Sequence, residues 1–336
     1  PAEAGRPLRV WVLYHWLGHY RTAVCEELIS NSKNRYEFWG STTSFGEGIK
    51  VISELPDGRF RPTPTYRARG LNLQPSAVWH AAFGRYDALV AHAGVAWPTM
   101  WAAAAIARLR RKQVWYWTHG WTRRDNPSRG RIKKLYYGLA HGMMLYGHYA
   151  KVIGIEAGHD PAKLHVIYNS LDAQRQLALG AEITEDQRRA ALAELFGEHA
   201  GRPTVICVAR LNPGRRIDLL IDACRRLQAS GQPVNLLVVG GGDIQPELEQ
   251  LAIDSGVNAA FTGAVYDERR LATLIGAASV SVLPGPIGLF VMHSMAYGTP
   301  VISNDRFEGQ MPEFEAIVPG LNGDFFREGD AADLAE

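Results

Sequence analysis

Short apolar runs alternate with helical patterns along the whole chain, and this alternation constrains the fold more than any other feature. The runs at residues 8–14, 88–91 and 204–208 are nearly continuous in apolar side chains. Strands that are apolar on both faces are typical of parallel sheets covered by helices on both sides. The sequence therefore predicts an α/β fold with ligands at the carboxyl ends of the strands.

The alternation occurs separately in each half of the 336 residues. We predict two Rossmann-like domains facing each other across a cleft, residues 1–170 and 171–336, divided at the polar run 169–172. In the first domain, strands are predicted at residues 8–14, 88–91, 114–117, 151–154 and 164–168. In the second, strands are predicted at residues 204–208, 235–239, 260–262, 280–283 and 301–303. Helices are predicted there at residues 217–229, 246–255, 268–277 and 288–297.

One apolar stretch, residues 88–109, has nearly the length of a membrane span. Pro98 divides it, because proline fits the first turn of a helix better than its interior. We therefore predict a strand followed by a helix, and no span.

The net charge of +2 conceals a division between the halves. Residues 1–170 contain 23 Lys and Arg against 11 Asp and Glu, whereas residues 171–336 contain 13 against 23. Such asymmetry concerns partners more than fold. The positive charge of residues 1–170 predicts an anionic partner for the first half.

The basic half contains a run that ends in aromatic residues, with the candidate contact residues Arg123, Arg124, Arg131, Lys133 and Lys134. Cationic side chains beside aromatics suit an anionic membrane surface or a lipid-linked acceptor. The alternative is a solvated basic face. Nucleic acid is disfavoured because no binding motif accompanies the charge. Three cysteines without metal-ligand spacing indicate reduced thiols in the cytoplasm.

Two arginines follow the predicted strand 204–208, Arg210 and Arg215. Guanidinium groups on a strand-end loop suit a diphosphate, since they offer paired donors and permanent charge. The alternative is a solvated basic turn.

A second loop leads from the strand 280–283 into a helix through Gly288 and Leu289. Amides at a helix start attract phosphate oxygens, and glycine permits close approach. His293 follows about one turn later and is a candidate ligand residue; the alternative is a structural or solvated histidine. The glycines 240–242 lack the G-x-G-x-x-G spacing, which disfavours NAD. The chain contains no D-x-D triplet, and we predict no metal and no other cofactor.

Together these segments resemble the donor-binding domain of retaining glycosyltransferases with the GT-B fold, the group 1 or family 4-like type. The resemblance runs through residues 210–220, 239–242, 261–263 and 288–302, and extends to Pro312-Glu313 and residues 320–323. It is specific over about residues 200–325. In the first half, residues 14–20 and 118–120 resemble the acceptor-side loops of the family.

The resemblance implies transfer of a hexose from a nucleotide diphosphate donor to an acceptor, with retention of configuration. It implies that Arg210 and Arg215 stabilise the diphosphate and that His119 contacts the donor sugar. Donor contacts are further implied for Gly18, Val265, Gly285, Gly288, Leu289 and His293. A UDP-sugar is favoured over a GDP-sugar.

The sequence departs from the family at two positions. The usual pair of glutamates would fall at Gly285 and His293. A neutral imidazole can still accept one hydrogen bond from a ribose hydroxyl, whereas glycine has no side chain to recognise the sugar.

The leading hypothesis is a metal-independent glycosyltransferase that acts on a lipid-linked or other anionic saccharide in cell-surface polysaccharide synthesis. It would be cytoplasmic and peripheral at the inner face of the plasma membrane. The alternatives are a soluble glycosyltransferase of a small natural product and a non-catalytic nucleotide-sugar-binding protein.

Overall fold

A computed structural model describes residues 6–44, 50–68 and 70–336. The chain divides into two compact units, Pro1–Asp172 and Ala173–Glu336. The division lies two residues from the boundary drawn from the sequence.

The strands of the first unit are β1 Arg9–Trp16, β2 Arg35–Ser41, β3 Phe60–Pro62, β4 Tyr66–Ala68, β5 Leu71–Leu73, β6 Ala88–Ala91, β7 Gln113–Thr118, β8 Gly142–Leu145 and β9 Leu164–Val166. The helices are α1 Thr22–Asn31, α2 Pro75–Phe83, α3 Pro98–Leu109, α4 Pro127–Tyr137 and α5 His148–Glu156. Among the described residues, seven strands form a parallel sheet in the order β3-β2-β1-β6-β7-β8-β9. Strands β4 and β5 pair antiparallel beside it.

Strand β1 has apolar side chains on both faces of this sheet. Trp11 and Leu13 pack into one core cluster, whereas Val10, Val12 and Tyr14 pack into another. Successive side chains of a strand point to opposite faces. The nearly continuous apolar run is thus explained by helices that cover both sides.

The prediction of a strand at residues 151–154 is wrong, because this segment lies within α5. Ala150, Ile153 and Gly154 are buried there, whereas Val152 and Ile155 are exposed. That spacing is helical. The strand of this region, β8, begins earlier at Gly142.

The strands of the second unit are β10 Thr204–Val208, β11 Asn235–Val239, β12 Asn258–Phe261, β13 Val280–Leu283, β14 Val301–Asn304 and β15 Gly323–Phe326. The helices are α6 Ala173–Glu182, α7 Glu185–Phe196, α8 Ile217–Ala229, α9 Gln245–Asp254, α10 Glu268–Ala277, α11 Phe290–Ala296 and α12 Ala331–Ala335. The six strands described here pair in parallel in the order β12-β11-β10-β13-β14-β15. The predicted strands and helices of this unit agree with the observed ones to within about two residues.

The apolar stretch 88–109 is divided as expected. It forms β6 and α3, with Pro98 as the first residue of the helix. In the described part of the chain, no helix is long and apolar enough to cross a bilayer.

Candidate functional site

Three loops meet at the carboxyl edge of the second sheet. Residues 209–216 follow β10, residues 240–244 follow β11, and residues 284–289 follow β13. The amide of Ala209 donates to the carbonyl of Val239 over 3.0 Å, and the amide of Gly285 donates to the carbonyl of Arg215 over 3.0 Å. Strands β11 and β13 flank β10, so parallel pairing brings the two predicted donor loops together.

Glycines allow these loops to pack backbone against backbone. A Cβ on Gly240 would collide with the carbonyl of Ala209, and one on Gly242 would collide with the carbonyl of Leu211. A Cβ on Gly285 would collide with the carbonyl of Gly214 and lie 2.7 Å from the Cα of Arg215. The space that a glutamate at position 285 would need is therefore occupied by the loop that carries Arg215.

Buried polar side chains hold the loop 284–289 in place. Gln310 accepts from the amide of Ile287 over 2.7 Å and donates to Ser303 Oγ over 3.3 Å. Asn304 Nδ2 donates to the carbonyl of Pro284 over 2.7 Å. Gln310 and Asn304 could not be identified from the sequence, because they act through the backbone and belong to no recognisable motif.

The two candidate arginines have different surroundings. Arg210 is exposed at the end of β10, whereas Arg215 is partly buried and donates through Nη1 to the carbonyl of Pro286. Desolvation lowers the pKa of Arg215 from its ordinary value, but a guanidinium remains charged at neutral pH. A permanent charge therefore lies against the loop 284–289.

His293 lies on α11, partly buried between helices. Its Nδ1 is 3.3 Å from Gln176 Nε2 and 3.6 Å from Glu268 Oε1. The Tyr297 hydroxyl donates to the same Glu268 oxygen over 2.5 Å. Since Gln176 is on α6 and Glu268 on α10, His293 helps to join three helices, which agrees with the structural alternative for this residue.

The other donor-side candidates line the same edge. Gly288 and Leu289 immediately precede α11. A Cβ on Gly288 would lie 3.6 Å from Met311 Cγ and 3.9 Å from Glu313 Oε2, which are ordinary contact distances. Val265 is partly exposed between β12 and α10.

The first unit has a second cluster at the carboxyl edge of its own sheet. His15 is the next-to-last residue of β1, and His92, His119 and Tyr146 directly follow β6, β7 and β8. The rings of His15 and His92 lie 4.2 Å apart, and those of His119 and Tyr146 lie 4.8 Å apart. Of these residues, His119 was predicted individually and His15 lies in the predicted acceptor-side loop 14–20, whereas His92 and Tyr146 were not predicted.

Arg21 lies at the centre of this cluster and is 3% exposed. Its guanidinium carbon lies 4.7 Å from the ring centroid of Trp117 and 5.2 Å from that of Tyr14. Nη2 donates to the Tyr146 hydroxyl. The Tyr146 and Tyr14 hydroxyls are 3.0 Å apart, and Tyr14 donates to the carbonyl of Trp117 over 3.1 Å.

The histidines around Arg21 are neutral. Burial, with a smaller effect of the Arg21 charge, lowers the pKa of His15 from 6.5 to about 3 and that of His119 to about 4. Burial also lowers the pKa of His92 well below 6.5. Because desolvation disfavours a charged imidazole, Arg21 carries the charge of the cluster.

The candidate Gly18 lies near the cluster, just after β1. It is buried, and its carbonyl accepts from the amide of Arg21 over 2.9 Å. A Cβ at this position would collide with the ring of Tyr20. Gly18 thus permits the chain to turn into the segment that carries Arg21.

Most of the predicted basic surface is exposed, but one residue is not. Arg123, Arg124, Arg131 and Lys134 are exposed. The expectation that Lys133 belongs to this surface is wrong, because it is 7% exposed and its Nζ lies 2.7 Å from Asp125 Oδ2. The helical period turns Lys133 inward, beside the buried residues Tyr136 and Tyr137.

Within residues 6–44, 50–68 and 70–336, no three His, Cys, Asp or Glu side chains are grouped in a way that could hold a metal ion.

The C-terminal unit carries the family signal. Residues 202–336 match the family described as glycosyl transferases group 1. The resemblance noted from the sequence over about residues 200–325 is confirmed there.

Similarity to curated proteins covers part of the chain. A GDP-mannose-dependent α-(1-6)-phosphatidylinositol dimannoside mannosyltransferase of Mycobacterium tuberculosis is 33% identical over 111 residues, which are 31% of this chain and 29% of that protein. A D-inositol 3-phosphate glycosyltransferase of Mycobacteroides abscessus is 31% identical over 153 residues, 43% of this chain and 32% of that protein. The chain therefore spans about a third of the length of these relatives.

Solved structures match over nearly the whole chain. The Anabaena protein HepE in complex with UDP has a TM-score of 0.70 at 18% identity, covering 98% of this chain and 88% of that chain. A glycosyltransferase from Rickettsia africae has a TM-score of 0.72 at 13% identity, covering 98% and 86%. The predicted fold class, α/β with two Rossmann-like domains of the GT-B type, is confirmed.

The preference for a UDP-sugar over a GDP-sugar is not supported by the curated relatives named above. The mannosyltransferase of Mycobacterium tuberculosis is named for GDP-mannose. The UDP-bound Anabaena structure, at 18% identity, shows the fold alone.

The packing at Gly285 can be tested with a pair of alanine variants. Gly285→Ala should lower the free energy of unfolding by about 1–3 kcal/mol, since its Cβ meets backbone that cannot rotate away. Gly288→Ala is the matched control and should change it by less than about 1 kcal/mol, since its nearest neighbours are side chains at ordinary distances. Urea unfolding measures both. Equal losses would show that position 285 is not closed by the loop 209–216.

The neutral histidines predict a pH dependence of stability. Between pH 6.5 and about 4, the unfolded chain binds protons at His15 and His119 that the folded chain does not. The free energy of unfolding should therefore fall as the pH is lowered, by up to about 1.4 kcal/mol per pH unit for each residue. Urea unfolding at several pH values should show a smaller slope for His15→Gln/His119→Gln than for His165→Gln, an exposed control. Identical slopes would contradict neutral histidines.

Proposed function

We propose that this chain is a glycosyltransferase that moves a hexose from a nucleotide diphosphate donor to a saccharide acceptor with retention of configuration. The observation that carries the proposal is the meeting of Arg210, Arg215 and the loop 284–289 at one sheet edge, within the segment that matches group 1 glycosyl transferases. Parallel α/β sheets bind ligands at this edge.

In this proposal the arginines stabilise the leaving group. Negative charge grows on the diphosphate as the bond to the sugar loosens, and preorganised donors are most effective where charge develops. Arg215 is held beside the loop by its bond to the Pro286 carbonyl, and exposed Arg210 would close on the diphosphate from the end of β10. With two permanent positive charges at the diphosphate, we expect no metal requirement. The acceptor hydroxyl would attack from the face that the diphosphate leaves and pass its proton to a phosphate oxygen.

The two missing glutamates change how the donor is recognised. Nδ1 of His293 already faces Gln176 and Glu268, so this nitrogen would not be the one that contacts a ribose hydroxyl. At Gly285 the backbone of residues 214–215 occupies the space of a side chain. Sugar recognition would therefore depend on the backbone amides of the loop and on residues elsewhere. The mannosyltransferase relative makes GDP-mannose the first donor to test.

Donor binding provides the test. The melting temperature is measured with a panel of GDP, UDP, ADP, GDP-mannose and UDP-glucose. We expect it to rise with the ligands that contain one particular base. Arg210→Ala should abolish most of that shift and slow donor turnover by about tenfold or more, the effect of losing one charged hydrogen bond. Turnover is measured as nucleoside diphosphate released, with EDTA in a parallel wild-type reaction.

Arg225→Ala is the matched control, because it removes an exposed arginine that is paired with Asp222 on α8. It should leave binding and turnover unchanged. A flat panel, normal turnover in Arg210→Ala or loss of activity in EDTA would contradict the proposal. Binding without turnover would identify a nucleotide-sugar-binding protein instead of an enzyme.

We further propose that α4 and α5 meet an anionic membrane surface that presents the acceptor. Exposed cations Arg131 and Lys134 alternate on α4 with Ile132 and Leu135, which are 48% and 69% exposed. A pocket of about 460 Å³ between the two helices is lined by Arg131, Lys134, His159 and the ion pair of Arg124 with Glu156, among others. Basic and apolar side chains that alternate on one exposed helix face are suited to a lipid interface. A protein bound to the membrane in this way would be cytoplasmic and peripheral. We expect no nucleic-acid partner.

Vesicle co-sedimentation tests this surface. Wild-type protein should bind vesicles that contain phosphatidylglycerol more strongly than phosphatidylcholine vesicles. Arg131→Ala/Lys134→Ala should reduce binding by about thirtyfold, since each of the two surface cations contributes about 1 kcal/mol. Lys33→Ala/Arg35→Ala removes the same charge at the exposed connection between α1 and β2 and should have little effect. No dependence on anionic lipid would remove the membrane from the proposal.

A further inference from the structure

The first unit contains a buried positive charge whose described neighbours carry no negative charge. Arg21 is 3% exposed, and it has no carboxylate partner among the ion pairs of the described residues. Burial raises the pKa of the phenols of Tyr14 and Tyr146, so both remain neutral hydroxyls. A buried charge without a counter-charge is costly.

The hydrogen bonds of the cluster have one consistent direction. Tyr14 donates to the Trp117 carbonyl, and its oxygen can then accept from Tyr146. Tyr146 in turn accepts from Arg21 Nη2. This series of hydrogen bonds uses the hydroxyl protons of both Tyr14 and Tyr146, and it provides a partner for only one end of the Arg21 guanidinium.

The other end is unsatisfied. Arg21 Nη1 is buried and makes no hydrogen bond in the described part of the chain. The same holds for Trp117 Nε1, His15 Nδ1 and His92 Nδ1. These atoms belong to one cluster, in which Arg21 stacks on Trp117 and Tyr14, and Tyr14 contacts His92 at 5.0 Å between centroids. Indole and guanidinium N–H groups can only donate, and a neutral imidazole donates from one nitrogen.

The geometry points to an oxyanion site at Arg21, which we propose binds one singly charged group of the acceptor, a carboxylate or a phosphodiester. That the anion belongs to an acceptor rests on the proposed function, whereas the anion site itself does not. One guanidinium charge balances one negative charge, and unsatisfied N–H donors supply the hydrogen bonds that a desolvated anion needs. The neutral histidines add no further charge, which disfavours a dianionic phosphate monoester.

The position of the site agrees with this role. His15, His92 and His119 lie at the carboxyl ends of β1, β6 and β7, where a parallel sheet binds ligands, and they are partly exposed. An acidic sugar or a phosphodiester-linked saccharide could therefore place its charged group against Arg21 while its hydroxyls remain near the edge.

Binding of small anions tests the site without a measurement of enzyme activity. Glucuronate and dimethyl phosphate are the two monoanionic probes, inorganic phosphate is the dianionic probe, and chloride at equal ionic strength is the reference. For wild type, glucuronate or dimethyl phosphate should raise the melting temperature and shift the indole ¹⁵N–H resonance of Trp117, assigned with Trp117→Phe. The probe with the larger effect decides between carboxylate and phosphodiester.

Variants connect the effect to Arg21. Arg21→Met should weaken anion binding by about tenfold or more, the loss expected for a charged hydrogen bond, and it should not lower the melting temperature in chloride, because it removes an uncompensated charge. Arg21→Lys should keep part of the response. Arg35→Met, at an exposed arginine, should behave as wild type.

Several results would overturn the site. They are an absent response in wild type, a preference for inorganic phosphate, or equal anion responses in wild type and Arg21→Met. A Met variant that unfolds in chloride, together with a Trp117 resonance that no anion shifts in wild type, would show that Arg21 is structural. None of these results affects nucleotide binding at Arg210, so the two proposals can fail separately.

Discussion

Parallel strand pairing is the constraint on which both candidate sites depend. In each sheet the strands run in one direction, so loops that are distant in sequence leave the sheet at the same edge. In the second unit this brings Arg215 beside Pro286, and in the first it brings His15 beside His92. No local motif could achieve these contacts, since the partners are separated by about 70 residues or more in sequence.

The absence of a side chain at Gly285 is what allows the loop 209–216 to pack against this position. A glutamate there would need the space of the backbone at Gly214 and Arg215. With glycine, the Gly285 amide instead donates to the Arg215 carbonyl, and Arg215 donates to the next carbonyl of the same loop. The departure from the family pattern is thus a local rebuilding in which an arginine is fixed by backbone atoms.

Much of the second unit could be predicted from the sequence, because its strands are short continuous apolar runs and its helices have clear periods. The first unit was harder. Residues 151–154 are as apolar as a strand, and only the burial of Ala150 and Ile153 beside exposed Val152 reveals a helix. Lys133 lies in a strongly basic run, but its helical phase turns it toward Asp125.

The candidate residues divide in the same way. Arg210, Arg215 and His119 follow strands within motifs, so sequence patterns could identify them. Arg21 and His92 could not be found, and His15 was included only as part of the loop 14–20, because nothing in their local sequence distinguishes a buried residue from a solvated one. These residues come together only because β1, β6 and β7 are adjacent in the sheet. The net charge of the chain gives no indication of this cluster.

Arginines on the exterior and arginines at the two carboxyl edges can be compared by the partners they contact. On the exterior, Arg188, Arg225 and Arg306 pair with carboxylates across 2.6–3.0 Å. At the carboxyl edges, Arg215 and Arg21 donate to a carbonyl and a hydroxyl, which orient the guanidinium without cancelling its charge. A neutral partner leaves the electrostatic attraction for an anion nearly intact. The two edges therefore have the same physical design, and this design favours the binding of anionic groups at both.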